Sequence, residues 1–394
     1  MRGLLLVVFV NFIGVGALIP ILPYAVLDVA GGSETMMALL MASFAIAMFV
    51  GAPLLGMISD RVGRRRVLIV SVLVSTCGHL VFALTTDLSV MFLARIIAGL
   101  GAGNIGVIQA IITDRTKPED RAKWMGMLGA FIGFGFVAGP ALGGLLSGLG
   151  GAVHTAPFLL ASSLSFLGFI LSVINVKETA PSDASRRLPL SERWHNFKAA
   201  GLTSFALAAF LLNLSFAQIE VSFVLVLREM LGFTSVHTGW FFAWVGVLIV
   251  IIQGVLISPV SKRITDIGTT LMGAAFLGSG QALTVMAIIT GFAFLPNPLL
   301  AALLCTTIVC IGFAFSNPTL TSAASKRTRT GQIGGALGLV TGCGSLGQVA
   351  GLLLAGPLYQ IGGGIMTFGT GAVVSTMLFG VVLLIILASP KHQS

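Results

Sequence analysis

Twelve stretches dominated by Leu, Ile, Val, Phe, Ala and Gly follow one another along this chain, separated mostly by short polar breaks. A helix needs about 20 apolar residues to cross about 30 Å of hydrocarbon. By that measure the candidates run roughly 3–27, 35–59, 67–86, 88–112, 122–147, 155–175, 199–227, 237–260, 268–292, 297–323, 333–359 and 364–388. The turn at Thr86–Asp87 is the narrowest division. The first stretch reads as a mature helix: it is too long for the core of a secretory signal, contains Pro20 and Pro23, and lacks a cleavage site.

Composition agrees with a bilayer. Charged residues make up 9% of the chain, against about 25% in soluble domains, whose surfaces must be wet. The 50 glycines sit among apolar residues, as in membrane helices rather than collagen or linkers. Cys77, Cys305, Cys310 and Cys343 lie in apolar runs without metal-ligand spacing and read as packing residues.

The net charge of +9 is explained by placement rather than by nucleic acid. With both termini in the cytoplasm, 20 of the 22 Lys and Arg residues fall in loops or tails on that side. Arg228 is external and Arg95 lies within the fourth span. This is the positive-inside asymmetry of a multi-pass protein. The longest polar interruption, 176–198, divides the chain six spans from six, giving bundles over 1–175 and 199–394 with a cytoplasmic linker between. An amphipathic surface helix is expected in Leu188–Phe197. The two halves echo each other weakly, since Gly56 and Arg64–Arg65 register with Gly254 and Lys262–Arg263 at an offset of 198.

Three motifs carry a resemblance to a known family. After the second span the chain reads Gly56, Asp60, Arg61, Gly63, Arg64, Arg65 at the spacing G-x-x-x-D-R-x-G-R-R. This resembles the cytoplasmic gate signature of the major facilitator superfamily. Gly56 suits close helix packing, Gly63 a tight turn, and Asp60 a partner for Arg61 or Arg64. A plain cluster of positive charges needs neither the acid nor the glycines. The fifth span carries Gly135, Gly139, Pro140, Gly143 and Gly144, similar to the G-x-x-x-G-P-x-x-G-G pattern of exporter branches. Ordinary small-residue packing explains the glycines but less easily the whole pattern. The first span, from Asn11 through Gly14, Gly16, Pro20 and Pro23, is similar to drug and tetracycline exporters, but Asn11 stands where they have an aspartate and cannot titrate.

The resemblance implies an all-α membrane protein of two six-helix bundles, a monomer in a bacterial inner membrane, working by alternating access without a cofactor. It also implies proton-coupled export of small amphipathic compounds, with protons and lipid as the other partners. A facilitator or proton symporter for a polar metabolite is the second reading, favoured by Asn11. A non-transporting sensor on the same fold is opposed by the intact gate motif.

Ionisable groups are costly within a membrane helix. Arg95 resembles the family's fourth-span arginine, implicated in proton transfer. Glu220 is the only acid well inside any span, so the coupling role that Asn11 cannot fill passes to it. Both are expected about 10 Å below the outer surface. The alternative is a structural Arg–Glu pair, or each group separately satisfied by amides and water. Asn11, His79, Asn213, Gln218, Trp240 and Asn317 are expected to line a cavity, Trp240 and Trp244 serving equally as interface anchors. No nucleotide-binding loop, metalloprotease motif or serine nucleophile turn is present, so neither ATP hydrolysis nor another enzyme activity is expected.

Overall fold

The structure, a computed structural model, describes residues 2–149, 151–179, 201–328 and 333–388. Most of the expected linker, and with it the surface helix over 188–197, lies outside the described residues. In a bilayer every backbone polar group must be satisfied inside its own segment, and apolar runs of this length meet that demand as helices. The helices are α1 (Arg2–Leu18), α2 (Glu34–Val62), α3 (Arg64–Ala83), α4 (Leu88–Arg115), α5 (Pro118–Ser147), α6 (Thr155–Asn175), α7 (Thr203–Leu231), α8 (Ser235–Val260), α9 (Asp266–Ile289), α10 (Pro298–Lys326) and α11 (Ile333–Leu387).

The ends of these helices are written in local chemistry. Ser33 caps α2 by accepting from the Met36 amide, and Asp87 caps α4 by accepting from Val90 N, so the turn expected at Thr86–Asp87 is found. Thr265 and Asn297 cap α9 and α10, the latter with Pro298 at the first helical position. Gly232 closes α7 in the left-handed conformation.

Among the described residues ten helices are long and apolar enough to cross a membrane, or eleven when α1 and its continuation Leu22–Val29 are taken as one span bent by 46°. The bend follows Pro20, which cannot continue the helix. The 55 residues of α11 are two helical stretches, because Gly362 and Gly363 leave helical backbone angles. At 1.5 Å per residue α11 is more than twice the thickness of the hydrocarbon. The expected count of twelve therefore depends on reading α11 as two crossings. The chain is a multi-pass, all-α membrane protein.

Its contacts divide into two compact units. Unit 1 is Met1–Arg186 with Phe233–Val247, and unit 2 is Arg187–Gly232 with Leu248–Ser394. The boundary thus falls within α8, whose first residues group with unit 1. In unit 1, Leu4 and Val8 of α1, Leu68 and Val72 of α3, and Ile108 and Ile112 of α4 form one apolar cluster. In unit 2, α7 packs along α11, with α9 against both α10 and α11. Gln281 of α9 donates to Ser215 Oγ at 2.8 Å and accepts from Ser375 Oγ at 2.9 Å. Ser215 Oγ and Ser375 Oγ lie 2.8 Å apart, which closes a buried ring of polar groups, and Ser215 Oγ also reaches the Gly371 carbonyl at 3.3 Å.

Candidate functional site

The arginine-rich motif is two helix ends joined at one residue. Asp60 and Arg61 lie in the last turn of α2, Arg64 and Arg65 in the first turn of α3, and Gly63 between them has φ +105°, a conformation L side chains rarely adopt. Arg64 is buried and binds three groups: Asp60 at 2.7 Å, Asp114 of α4 at 3.1 Å, and Ser59 Oγ at 2.9 Å. Two carboxylates sharing one guanidinium satisfy a charge that would otherwise be costly to bury.

The stretch after α6 closes the network. Thr179 donates to Asp114 at 3.2 Å, Glu178 accepts from the Arg65 amide at 3.0 Å, and Arg115 donates to the Lys177 carbonyl. A Cβ at Gly63 would stand 2.6 Å from the Glu178 carboxylate, which would have to move aside, and the positive φ disfavours a side chain there whatever the space. Gly56 does not make the close packing expected of it. Nothing lies within 4 Å of where its Cβ would be.

Unit 2 carries a counterpart of opposite polarity. Asp266, the first residue of α9, pairs with Lys326 at the end of α10 at 2.7 Å and accepts from Ser322 at 2.6 Å.

The α5 glycines form a seam with two sides. Gly135 and Gly139 face α1 so closely that a Cβ would sit 2.6 Å from Phe12 Cβ and from the Ile13 carbonyl, and Gly143 abuts the Ala17 backbone. Gly144 faces Gly239 of α8, with room for neither side chain. Pro140 takes part on that second side, where its carbonyl would lie 2.8 Å from a Cβ at Gly239.

Arg95 and His79 occupy the interior of unit 1. Arg95 is 6% exposed, with its guanidinium 4.0 Å from the Phe44 ring centroid, a cation–π contact. His79 is 2% exposed, edge-on to Phe158, and within reach of the Arg95 charge. Asn11 turns toward α6, where its carboxamide lies against Gly168. Trp240 and Trp244 are exposed one turn apart on α8, a placement suited to lipid or interface.

Glu220 lies in unit 2. Because α7 continues to Leu231, past the end expected at 227, Glu220 is about 16 Å from that helix end, against about 10 Å for Arg95 from Leu88. From Leu212 to Leu227 every α7 residue is buried except Asn213, Phe216 and Glu220. Spaced by three and four, they form one stripe on the helix. Phe216 stacks on Phe313 of α10, ring centroids 3.7 Å apart and planes 14° apart, and Asn317 is exposed one turn beyond Phe313. Gln218, expected to reach a cavity, is instead buried and accepts from Thr370 Oγ1 at 3.0 Å. Two residues from both Phe216 and Glu220, it lies on the opposite face of the helix from the stripe, toward α11.

Sequence reasoning missed Asp114, Glu178, Phe44, Phe216 and Phe313. The two acids carried a faint signal, each being adjacent to a basic residue at a helix end. Nothing marks Phe216 or Phe313 among 27 phenylalanines. No group of three or more His, Cys, Asp or Glu side chains that could hold a metal is found among the described residues.

A multi-pass helical protein with charged and polar groups set into its spans is the class defined by this fold and these sites. The Major Facilitator Superfamily model matches residues 4–351, and the chain belongs to that superfamily. It is a membrane transporter and not an enzyme. It is 28% identical over 363 residues to multidrug resistance protein 2 of Bacillus subtilis, covering 90% of this chain and 87% of that one. It is 29% identical over 365 residues to the class E tetracycline resistance protein of Escherichia coli, with coverage of 90% and 87%. The quinolone resistance protein NorA of Staphylococcus aureus is 25% identical over 358 residues, with coverage of 90% and 88%. Among solved structures, the nucleoside transporter NupG superposes with a TM-score of 0.78 at 14% identity, covering 98% and 99% of the two chains. The human organic anion transporter MFSD10 gives 0.70 at 20% identity, covering 97% and 98%. At these identities the structural likeness speaks to fold alone.

Proposed function

We propose that this protein is a secondary exporter of small amphipathic compounds, coupled to protons and working by alternating access in a bacterial inner membrane with both termini cytoplasmic. The observation that carries the reading is the α7 stripe. Asn213, Phe216 and Glu220 are the breaks in an otherwise buried length of helix, and Phe313 and Asn317 of α10 extend the same surface. Aromatic faces beside carboxamides and one carboxylate match a cargo that is partly apolar and partly polar or cationic. The multidrug, tetracycline and quinolone resistance relatives support export of such compounds.

Glu220 takes up and releases the coupling proton in this scheme, and Arg95 is a fixed positive charge in the other unit that biases the cycle. The Arg64 network is the gate at the arginine-rich end, and the α5 seam is the exporter element. The working unit is a monomer. Asn11, which cannot titrate, favours a second reading, facilitated or symported passage of a polar metabolite.

The test uses proteoliposomes with an internal pH dye, an imposed proton gradient, and a panel of lipophilic cations, tetracyclines and neutral metabolites. Cargo-dependent proton release that disappears in Glu220→Gln is the expected result. Cargo flux without proton movement would overturn coupling and favour the facilitator.

A further inference from the structure

Beyond the break in α1 the chain forms a short turn, Leu22–Tyr24, followed by a π-helical turn, Ala25–Val29. Tyr24 is 4% exposed and its hydroxyl is fully occupied. It donates to the Phe233 carbonyl at 2.9 Å and lies 2.8 Å from Thr238 Oγ1. A phenol has one proton, so with that proton on the carbonyl Thr238 is the donor of the second bond. The same end of α8 is held on α5 by Ser147 Oγ donating to Ser235 Oγ at 2.7 Å, and by the Gly144–Gly239 approach.

Toward the far end of that segment Gly246 still packs on α5, where a Cβ would stand 2.8 Å from Val137 Cα. Unit 1 stops at Val247, and at Ile252–Leu256 α8 passes through a second π-helical turn. Such a turn disturbs the regular backbone ladder, making it the soft point of a long helix. Residues 233–247 thus have hydrogen bonds at one end and a joint beyond the other.

We propose that Tyr24 is a latch that holds residues 233–247 of α8 onto α1 and α5, and that its release, with bending at Ile252–Leu256, frees this end of α8 during the transport cycle. The part played in transport rests on the exporter reading above, whereas the latch and the joint rest on geometry alone. Two hydrogen bonds between neutral groups shift a local opening equilibrium by about tenfold to a hundredfold. That is strong enough to close the segment and weak enough to open on the timescale of gating.

The test is hydrogen exchange read by mass spectrometry on the full-length protein in lipid nanodiscs. Tyr24→Phe keeps the ring and its packing and removes both bonds. The expected result is exchange about tenfold faster over 233–247, with α9 unchanged. Thr238→Ser, which keeps a hydroxyl, is expected to behave as wild type, and Thr238→Val to show a smaller increase than Tyr24→Phe. Unchanged exchange over 233–247 in Tyr24→Phe overturns the latch, and so does a uniform rise over every helix, which would mark a purely structural tyrosine. In proteoliposomes Tyr24→Phe is expected to change the maximal rate and leave cargo KM nearly unaltered. Wild-type protein that moves no cargo against a gradient would overturn the exporter reading, and the exchange result would still decide the latch.

Discussion

Arg64 and Asp114, fifty positions apart in the chain, form an ion pair with Nε 3.1 Å from the carboxylate, and Asp60 shares the same guanidinium. Removing the arginine leaves two partly buried carboxylates facing each other. Breaking a buried pair costs about 3–5 kcal/mol, since the remaining charge has no compensation. The counterpart in unit 2 is different, because the Lys326 side chain is 68% exposed. A solvated pair of that kind contributes about 0–1 kcal/mol. Thermal unfolding in detergent should therefore show a large loss of stability in Arg64→Ala and a small one in Lys326→Ala. Equal losses would mean that the Arg64 network is no more than a surface pair.

The glycine seam makes a sharper steric prediction. A Cβ at Gly143 meets the Ala17 backbone, which has no flexible side chain to yield, whereas a Cβ at Gly56 meets nothing within 4 Å. Overpacking against a well-packed neighbour costs about 1–3 kcal/mol. Gly143→Ala is expected to lower the unfolding temperature or the yield of folded protein, with Gly56→Ala close to wild type. A neutral Gly143→Ala would show that α1 and α5 can separate at no cost.

Much of this was legible in the sequence, for physical reasons. The spans announce themselves because a helix in lipid must be apolar over most of its length. Gly63 and the arginines around it are local chemistry at two helix ends, and the α5 glycines repeat at the spacing that brings backbones together. What the sequence did not disclose is pairing between elements. Asp114 and Glu178 reach the Arg64–Arg65 turn from α4 and from beyond α6, and no spacing rule connects them. Gly56 carries the signature of a packed glycine and faces open space. Gln218 and Glu220 are near neighbours in the sequence of α7, but two residues place them on opposite faces, one buried and one not. The first span was expected to run unbroken over 3–27, and neither its 46° bend nor the π-helical turn after it could be read from composition.

His154, just before α6, supplies a pH prediction. Burial lowers its pKa below the ordinary 6.5, and the hydrogen bond between its Nε2 and the Thr85 carbonyl offsets this only in part. The neutral ring is therefore preferred in the folded protein. Above pH 6.5 both states are neutral and stability is unaffected; as pH falls below that value the unfolded chain binds the proton first, and stability declines until the folded-state pKa is passed. Unfolding temperatures measured from pH 8 to pH 5 should fall more steeply in wild type than in His154→Gln. Parallel curves would remove His154 from the account.

Phe216 and Phe313 decide whether the α7 stripe binds cargo or merely interrupts a buried helix. Their rings already satisfy each other at 3.7 Å, so the pair presents its outer faces together, with Glu220 one turn from Phe216 and Asn317 one turn from Phe313. Leucine at either position keeps most of the apolar volume and removes the π face. Aromatic stacking is worth about 0.5–1.5 kcal/mol beyond burial, which corresponds to roughly a twofold to tenfold change in affinity. Phe313→Leu should raise KM by about that factor for planar aromatic cargo in proteoliposomes and leave a non-aromatic cargo of similar size nearly unchanged. An equal rise for both would assign the rings to packing between α7 and α10. No change for either would move the binding surface away from this stripe and leave Glu220 as the residue there with a transport role still to test.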